Sequence, residues 1–475
     1  LWGAHPLAGV LLTLGQKETM GLLLMVFLYR KVVFMKLLDG MAEDSGQLLI
    51  GGVPACDLAE KHSTPLYIVN EEAFEKRAQT FTKGFKSKTH ETRVIYASKA
   101  FTNLAMAKLA YDQGLFMDVV SQGEFYTALK AGVDPKRIYF HGNNKTYEEV
   151  SFAIDHKVGT MVVDSQEEFE LLESILEKKK AKQRILLRIN PLVCASTHKY
   201  IQTSNEDSKF GVAASAPRAK DLLYRMAKSD LVDLAGIHCH IGSQVLDPES
   251  FFETAKKIVA IGRDLSQEIG QSFEELNLGG GFGVYYTSQD DPIDFESFLP
   301  SYIEVIEKAL EDEGLDVKIL SIEPGRSLIN EAGATLYRVG LVKEMDGPND
   351  FVFVDGGMGD NPRPSLYKAK YEACLPQRLD EKDSHTYTLA GKCCESGDIL
   401  IEDLSLPEVK AGDLILVSST GAYNYSMSSN YNRIPRPAVV FVGHGQSRLV
   451  VKRETLDDLI RNDIISVSYT HLTLP

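Results

Sequence analysis

From about residue 93 onward, short apolar runs alternate with amphipathic stretches in a regular beat. RVIYASKA (93–100), FMDVVS (116–121), RIYFHG (137–142), TMVVDS (160–165) and RILLRIN (184–190) read as buried strands. LAGIHCHIG (234–242), ELNLGGG (275–281) and KILSIEPG (318–325) continue the series. Between them, Ser165–Lys179 and Pro248–Ile269 carry apolar residues at helical spacing. Eight strands separated by helices over roughly 230 residues predict a (β/α)8 barrel, with a doubly wound open sheet as the competing architecture. After Arg326 the beat changes. TLYRVGLVKEM, DFVFVDGG, HTYTLAG, DLILVSSTGAY and AVVFVGHGQSRLVVKRE are strand runs with little helix between them. They predict a C-terminal, mostly β domain over 333–464. TPLYIVN (64–70) predicts one more strand for it, so 46–75 is assigned to the β domain and 76–332 to the barrel. Residues 1–45 and 465–475 lack the pattern and read as an upstream or non-native extension and a tail. The polar insertion Pro191–Lys209 predicts an active-site loop.

The chain has 475 residues, enough for two domains with large cores. Hydrophobic residues at 44% and charged residues at 25% exclude a disordered or collagen-like chain. Lys+Arg 51 against Asp+Glu 66 gives −15 without a long basic run. That balance disfavours nucleic acid and anionic membrane surfaces, while a small anionic ligand can still be held by local basic residues. Gly21–Met35 is apolar but broken by Arg30 and Lys31, and is too short to span a bilayer. Six scattered cysteines (Cys56, Cys194, Cys239, Cys374, Cys393, Cys394) with no CxxC pair and no zinc spacing predict a reducing, cytoplasmic setting and no metal centre.

In a barrel of this kind chemistry sits on the loops after the strands, and the unusual polar residues fall there. Lys99 follows the first strand, Asn143 and Asn144 the third, and His240 with Ser243 the sixth. Gly279, Gly280, Gly281 and Gly283 end the seventh; Glu323, Pro324, Gly325 and Arg326 end the eighth. Taken singly, such a lysine is a solvated surface residue, such a histidine a structural one, and GGGFG a tight turn. Together on one rim they predict a site. Glycines let backbone N–H groups approach phosphate oxygens, and this fold often binds phosphate after its last two strands. A phosphate site beside a buried lysine points to pyridoxal 5'-phosphate. That cofactor needs a lysine for its Schiff base, a phosphate cradle and an acid for its ring nitrogen. Glu323 fits the acid, and His240 can stack on the ring. Nicotinamide fits less well, because GGGFG lacks the GxGxxG spacing.

Several segments carry a family resemblance: Y-A-S-K-A (96–100), H-G-N-N-K (141–145), S-K-F-G (208–211) and H-C-H-I-G-S-Q (238–244). G-G-G-F-G (279–283), E-P-G-R (323–326), D-N-P-R-P-S-L-Y (360–367), C-E-S-G-D (394–398) and G-A-Y (421–423) continue it in order. Over about 50–445 the chain resembles the diaminopimelate decarboxylases, barrel-type pyridoxal-phosphate enzymes of the alanine-racemase-like fold that also include ornithine and arginine decarboxylases. The resemblance implies that Lys99 is the Schiff-base lysine and His240 the ring-stacking residue. It implies that Ser243, Gly279–Gly281 and the Glu323–Arg326 turn bind phosphate, with Glu323 at the ring nitrogen. It further implies that Arg326, Arg363, Tyr367 and Glu395 bind substrate, that Tyr423 touches cofactor and substrate, and that Cys394 protonates the product carbon. The implied reaction is decarboxylation of meso-2,6-diaminopimelate to L-lysine and CO2, the last step of lysine biosynthesis. Ornithine, arginine or a carboxylated polyamine is the alternative substrate, and a non-catalytic regulatory homologue the alternative of another class. A bidentate arginine suits a distal carboxylate, so Arg326 and Arg363 favour diaminopimelate. A homodimer with shared sites is expected, since Lys99 lies on the barrel rim and Cys394 some 300 residues later in the β domain.

Overall fold

The computed structural model describes residues 35–191, 209–214 and 216–465. Eight parallel strands follow the predicted beat: β1 (Glu91–Ala97), β2 (Phe116–Val119), β3 (Ile138–Phe140), β4 (Thr160–Val163), β5 (Gln183–Asn190), β6 (Val232–His238), β7 (Glu275–Asn277) and β8 (Ile319–Ile322). Each pairs with the next, and β8 pairs with β1, so the sheet closes into a barrel and the open-sheet alternative is excluded. The amphipathic stretches are helices. Gln166–Lys179 is capped by Ser165, whose side chain accepts the Glu168 N–H, and Pro248–Ile269 is capped by Asp247.

Period-two alternation along the strands sorts side chains between two environments. Val94, Tyr96, Met117, Ile138, Phe140, Met161, Leu187 and Leu320 join the large core shared with the helices. The opposite parity fills the barrel in layers. Ile95, Tyr139, Val162, Leu186 and Ala235 form a small separate apolar cluster. At the N-terminal end, fully buried Glu275 accepts from Tyr139 Oη at 2.8 Å, Ser321 Oγ at 2.6 Å and Arg184 Nη2 at 3.0 Å, which satisfies its charge. The barrel floor is therefore closed, and the polar residues at the other end of the same alternation face an open rim.

The second sheet runs Ile399–Leu406, His385–Ala390, Asp350–Val354, Gly333–Lys343, Leu66–Asn70, Ala438–Gly443, Gln446–Val451. Leu66–Asn70 pairs antiparallel with Gly333–Lys343 and parallel with Ala438–Gly443, as TPLYIVN predicts. Two differences from the sequence reading stand out. Residues 35–45 are packed with the β region rather than set apart from it: Met35 and Leu38 are buried, and Met41–Asp44 pairs with Gln47–Ile50. Ile399–Leu406 is an additional strand, hidden because Asp403 takes a positive φ of 53° and the register with His385–Ala390 shifts twice, which breaks the alternation. The first 34 residues, the tail beyond 465 and residues 192–208 of the predicted loop lie outside the described residues. No helix among the described residues is long and apolar enough to cross a membrane.

Candidate active site

A cavity of about 820 Å³ opens where the C-terminal rim of the barrel meets the β region. Lys99 sits in the one-turn segment Ser98–Ala100 after β1 and is exposed into the cavity, not buried as the sequence reading had it. His240, Ser243, Gly281, Glu323, Gly325 and Arg326 also line it from the barrel side. Arg363, Tyr367 and Tyr423 of the same chain line it from the β side. Cys394 and Glu395 do not. Both are exposed, with Cys394 N–H donating to Asn432 Oδ1 at 2.8 Å.

Gly279, Gly280 and Pro324 lie outside the lining, and packing by itself requires the two glycines. A Cβ on Gly279 would stand 2.1 Å from the Cys239 carbonyl oxygen, and one on Gly280 would stand 2.0 Å from that of Glu323. Their N–H groups donate to Asn277 Oδ1 at 2.9 Å and His240 Nδ1 at 3.3 Å. The glycines let three strand ends pack against one another.

Glu323 is the best-held group in the site. Its Oε1 accepts from His141 Nε2 at 2.9 Å and Asn277 Nδ2 at 2.8 Å, and its Oε2 accepts from His238 Nε2 at 3.0 Å. Burial alone would raise its pKa, but the two histidines outweigh burial and hold it well below the usual carboxylate range. His141, His238 and Glu323 also bring one potential metal-ligand atom each to within 4.8 Å of the others, and the same atoms are paired by these hydrogen bonds. Neither histidine nor Asn277 was picked out from the sequence. The available signal was a polar residue at an inward position at the end of an apolar strand, which Asp118 in FMDVV shares. Asp118 lines the cavity with its Oδ1 unpartnered, and burial pushes its carboxyl upward.

Arg326 and Arg363 are both buried and share the Tyr286 ring, their guanidinium carbons 5.7 and 4.7 Å from its centroid. Arg326 donates to the Tyr286 hydroxyl and to Ser243 Oγ at 2.9 Å; Arg363 donates to Tyr371 Oη at 2.7 Å. These acceptors are neutral hydroxyls. A surface ion pair for Arg363 is excluded by its burial, and the pair of guanidiniums is arranged to receive anions.

The residues present fit pyridoxal phosphate. A carboxylate offers about four acceptor positions, and three donors leave one on Glu323 for a ring N–H. Arg326 Nε is buried without a partner beside the Ser243 hydroxyl, as a phosphate subsite requires. The cavity has room for the cofactor with an amino acid attached.

Residues 71–330 match the family model described as the pyridoxal-binding domain of pyridoxal-dependent decarboxylases. The chain belongs to that family. This decarboxylase is 48% identical over 419 residues to the diaminopimelate decarboxylase of Bacillus subtilis (strain 168), covering 88% of this chain and 95% of the relative. It is 44% identical to that of Staphylococcus aureus (strain COL), covering 88% and 98%. The crystal structure of diaminopimelate decarboxylase from m. jannaschii in complex with L-lysine superposes with a TM-score of 0.85 at 33% identity, covering 91% of this chain and 99% of that one. Pyridoxal phosphate is thus the decarboxylase's cofactor.

Two site histidines, His238 buried and His240 half-buried, should make the decarboxylase acid-sensitive. Burial pushes His238 down to about 4, and burial with the nearby Lys99 and Arg188 charges holds His240 well below its ordinary value. Both bind fewer protons folded than unfolded, so their contribution is present above about 6.5 and is lost as pH falls toward 4. For His238 alone, stability should drop by about 2 kcal/mol between pH 7 and pH 5. Urea unfolding at the two pH values measures it; equal stabilities would show that these histidines take up protons in the folded protein as they do in the unfolded chain.

Proposed function

We propose that this decarboxylase converts meso-2,6-diaminopimelate to L-lysine and CO2, closing lysine biosynthesis. The observation that carries the substrate is the pair of buried guanidiniums of Arg326 and Arg363 in one cavity, hydrogen-bonded to neutral hydroxyls. A substrate lacking a distal carboxylate would leave one of these buried cations without an anion, a costly arrangement. Ornithine and arginine fit poorly for that reason. The relatives named diaminopimelate decarboxylase support the same reading.

Bound pyridoxal phosphate supplies the electron sink for the pair released as the α-carboxylate leaves. The chain supplies the rest. With the cofactor bound, Lys99 would be its covalent anchor, Glu323 would face its ring nitrogen and favour a proton there, and His240 would lie against its ring. Ser243, Gly281, Gly325 and Arg326 receive the phosphate, while Gly279, Gly280 and Pro324 shape the wall behind it. Arg363, with Tyr367 and Tyr423, orients the substrate and fixes its distal carboxylate. Cys394 delivers a proton from Sγ to the product carbon, and Glu395 receives the distal ammonium. Cys394 and Glu395 reach the cavity from a second subunit, because each is exposed and absent from its own chain's cavity. The working unit is a homodimer with two composite sites. All five described cysteines are free thiols, which supports a cytoplasmic enzyme.

Incubation with meso-2,6-diaminopimelate should yield lysine and CO2 dependent on added pyridoxal phosphate, with ornithine and arginine turned over far more slowly. Equal rates on ornithine would overturn the assignment. Arg363→Lys keeps the charge and loses the planar fork, so kcat/KM on diaminopimelate should fall more than about tenfold, or about 1.4 kcal/mol. An unchanged value would remove Arg363 from the substrate site.

A further inference from the structure

We propose that His141 and His238 are positioning residues that act through Glu323: they hold its carboxylate ionised and aimed, and so set the protonation of the cofactor's ring nitrogen. This rests on the reading of Glu323 as the partner of that nitrogen.

The argument begins with the cost of the charge. Glu323 is buried at the end of β8, and a lone carboxylic acid in such a place takes up a proton. A neutral acid can share a hydrogen bond with a pyridine but cannot stabilise a pyridinium. His141 and His238 stand on opposite oxygens, at 2.9 and 3.0 Å, with their rings edge to face at 4.8 Å. An ionised carboxylate is acceptor-only, so both histidines must present N–H at Nε2. Asn277 Nδ2 adds a third donor on Oε1. The four-point limit of a carboxylate then leaves a single acceptor position, on Oε2. Two imidazoles from the ends of β3 and β6 and an amide from β7 thus hold the carboxylate, and Glu323 itself lines the cavity.

The other charged groups around Glu323 do not replace this pair. Asp118 from β2 opposes the charge, while Arg188 from β5 interacts with Glu323 and is itself paired with Asp164 at 3.8 Å. Cys239 and His240, beside His238, add no hydrogen bond to it. His238 Nδ1 is buried with no partner, so the whole hydrogen-bonding capacity of that ring is committed to Glu323. A histidine kept only for packing would have no need to turn its one bonded nitrogen there.

The test compares wild type with His141→Phe, His238→Phe and the conservative His141→Gln and His238→Gln. Holoenzyme reconstituted with 15N-labelled pyridoxal phosphate is measured without substrate, so the result does not depend on which amino acid is decarboxylated. In wild type the ring nitrogen should be protonated across neutral pH. In either Phe variant its 15N signal should move to the unprotonated position at a lower pH than in wild type. Each Gln variant, which keeps an amide donor, should restore most of the wild-type signal. In 13C-glutamate-labelled apoenzyme, a carboxyl signal absent from Glu323→Gln should titrate at higher pH in the Phe variants. With the preferred substrate, kcat should fall about tenfold or more with KM changed little. Folded Phe variants with the wild-type 15N and 13C titrations would overturn the proposal. A ring nitrogen insensitive to Glu323→Gln itself would instead overturn the role of Glu323 on which it rests. If the Phe variants do not fold, His141→Asn and His238→Asn, whose shorter side chains withdraw the donor from Glu323, take their place, and wild-type titrations in both would overturn the proposal.

Discussion

Lys99→Ala should lose the visible absorption of lysine-linked cofactor and lower lysine production by more than about a thousandfold, because a residue acting as covalent anchor has no substitute in the site. The geometry makes this specific. Lys99 is exposed into the cavity at the end of β1, on the same rim as Glu323 and Ser243. Lys145, the other lysine drawn to attention by the H-G-N-N-K segment, is committed elsewhere: its Nζ donates to Gly142 O at 2.9 Å, Val162 O at 2.8 Å and Glu168 Oε1 at 2.6 Å. Borohydride reduction followed by peptide mapping should place the cofactor's mass on Lys99. A label on Lys145 or another lysine would show that the anchor has been misassigned.

Lys99→Ala and Cys394→Ala chains should each be nearly inactive alone and regain activity when mixed under conditions that exchange subunits. Random pairing makes half of the dimers mixed, and each mixed dimer has one intact site of two, so about a quarter of wild-type activity is the ceiling. The structure sharpens what is shared. Arg363, Tyr367 and Tyr423 reach the cavity of their own chain, so the β region already covers part of its own barrel rim. In the proposed dimer only Cys394 and Glu395 would be exchanged between subunits. An Arg363→Ala chain mixed with Lys99→Ala should therefore restore nothing, because each mixed dimer then carries one loss in each of its two sites. Mixing Lys99→Ala with Cys394→Ala that restores nothing despite demonstrated exchange would place both residues in one chain's site.

Much of the fold was readable before any tertiary contact was known. Eight apolar runs at even spacing became β1 to β8 because a parallel barrel strand is covered on both faces, and continuous apolar sequence is the mark of that. Helix limits were equally legible where a cap was present, as at Ser165 and Asp247. Ile399–Leu406 was not legible, since a left-handed residue in mid-strand erases the alternation that marks one. Nor was the packing of Met35, an apolar position that acquires meaning only against the β sheet it covers.

At the site the division follows the same physics. Residue type and strand-end position, both local properties, singled out Lys99, His240, Ser243, Glu323 and Arg326. They also pointed to Gly279 and Gly280 but not to the packing that requires them: a Cβ there would meet the Cys239 and Glu323 carbonyls, and only the closed barrel brings those strands so near. The donors on Glu323 come from β3, β6 and β7, separated from it by 182, 85 and 46 residues. Sequence alone determined which chemical groups the chain possesses and where along each strand they stand. Closure of the barrel decided which of them meet, because the charge of a buried carboxylate depends on donors that chain order does not bring together.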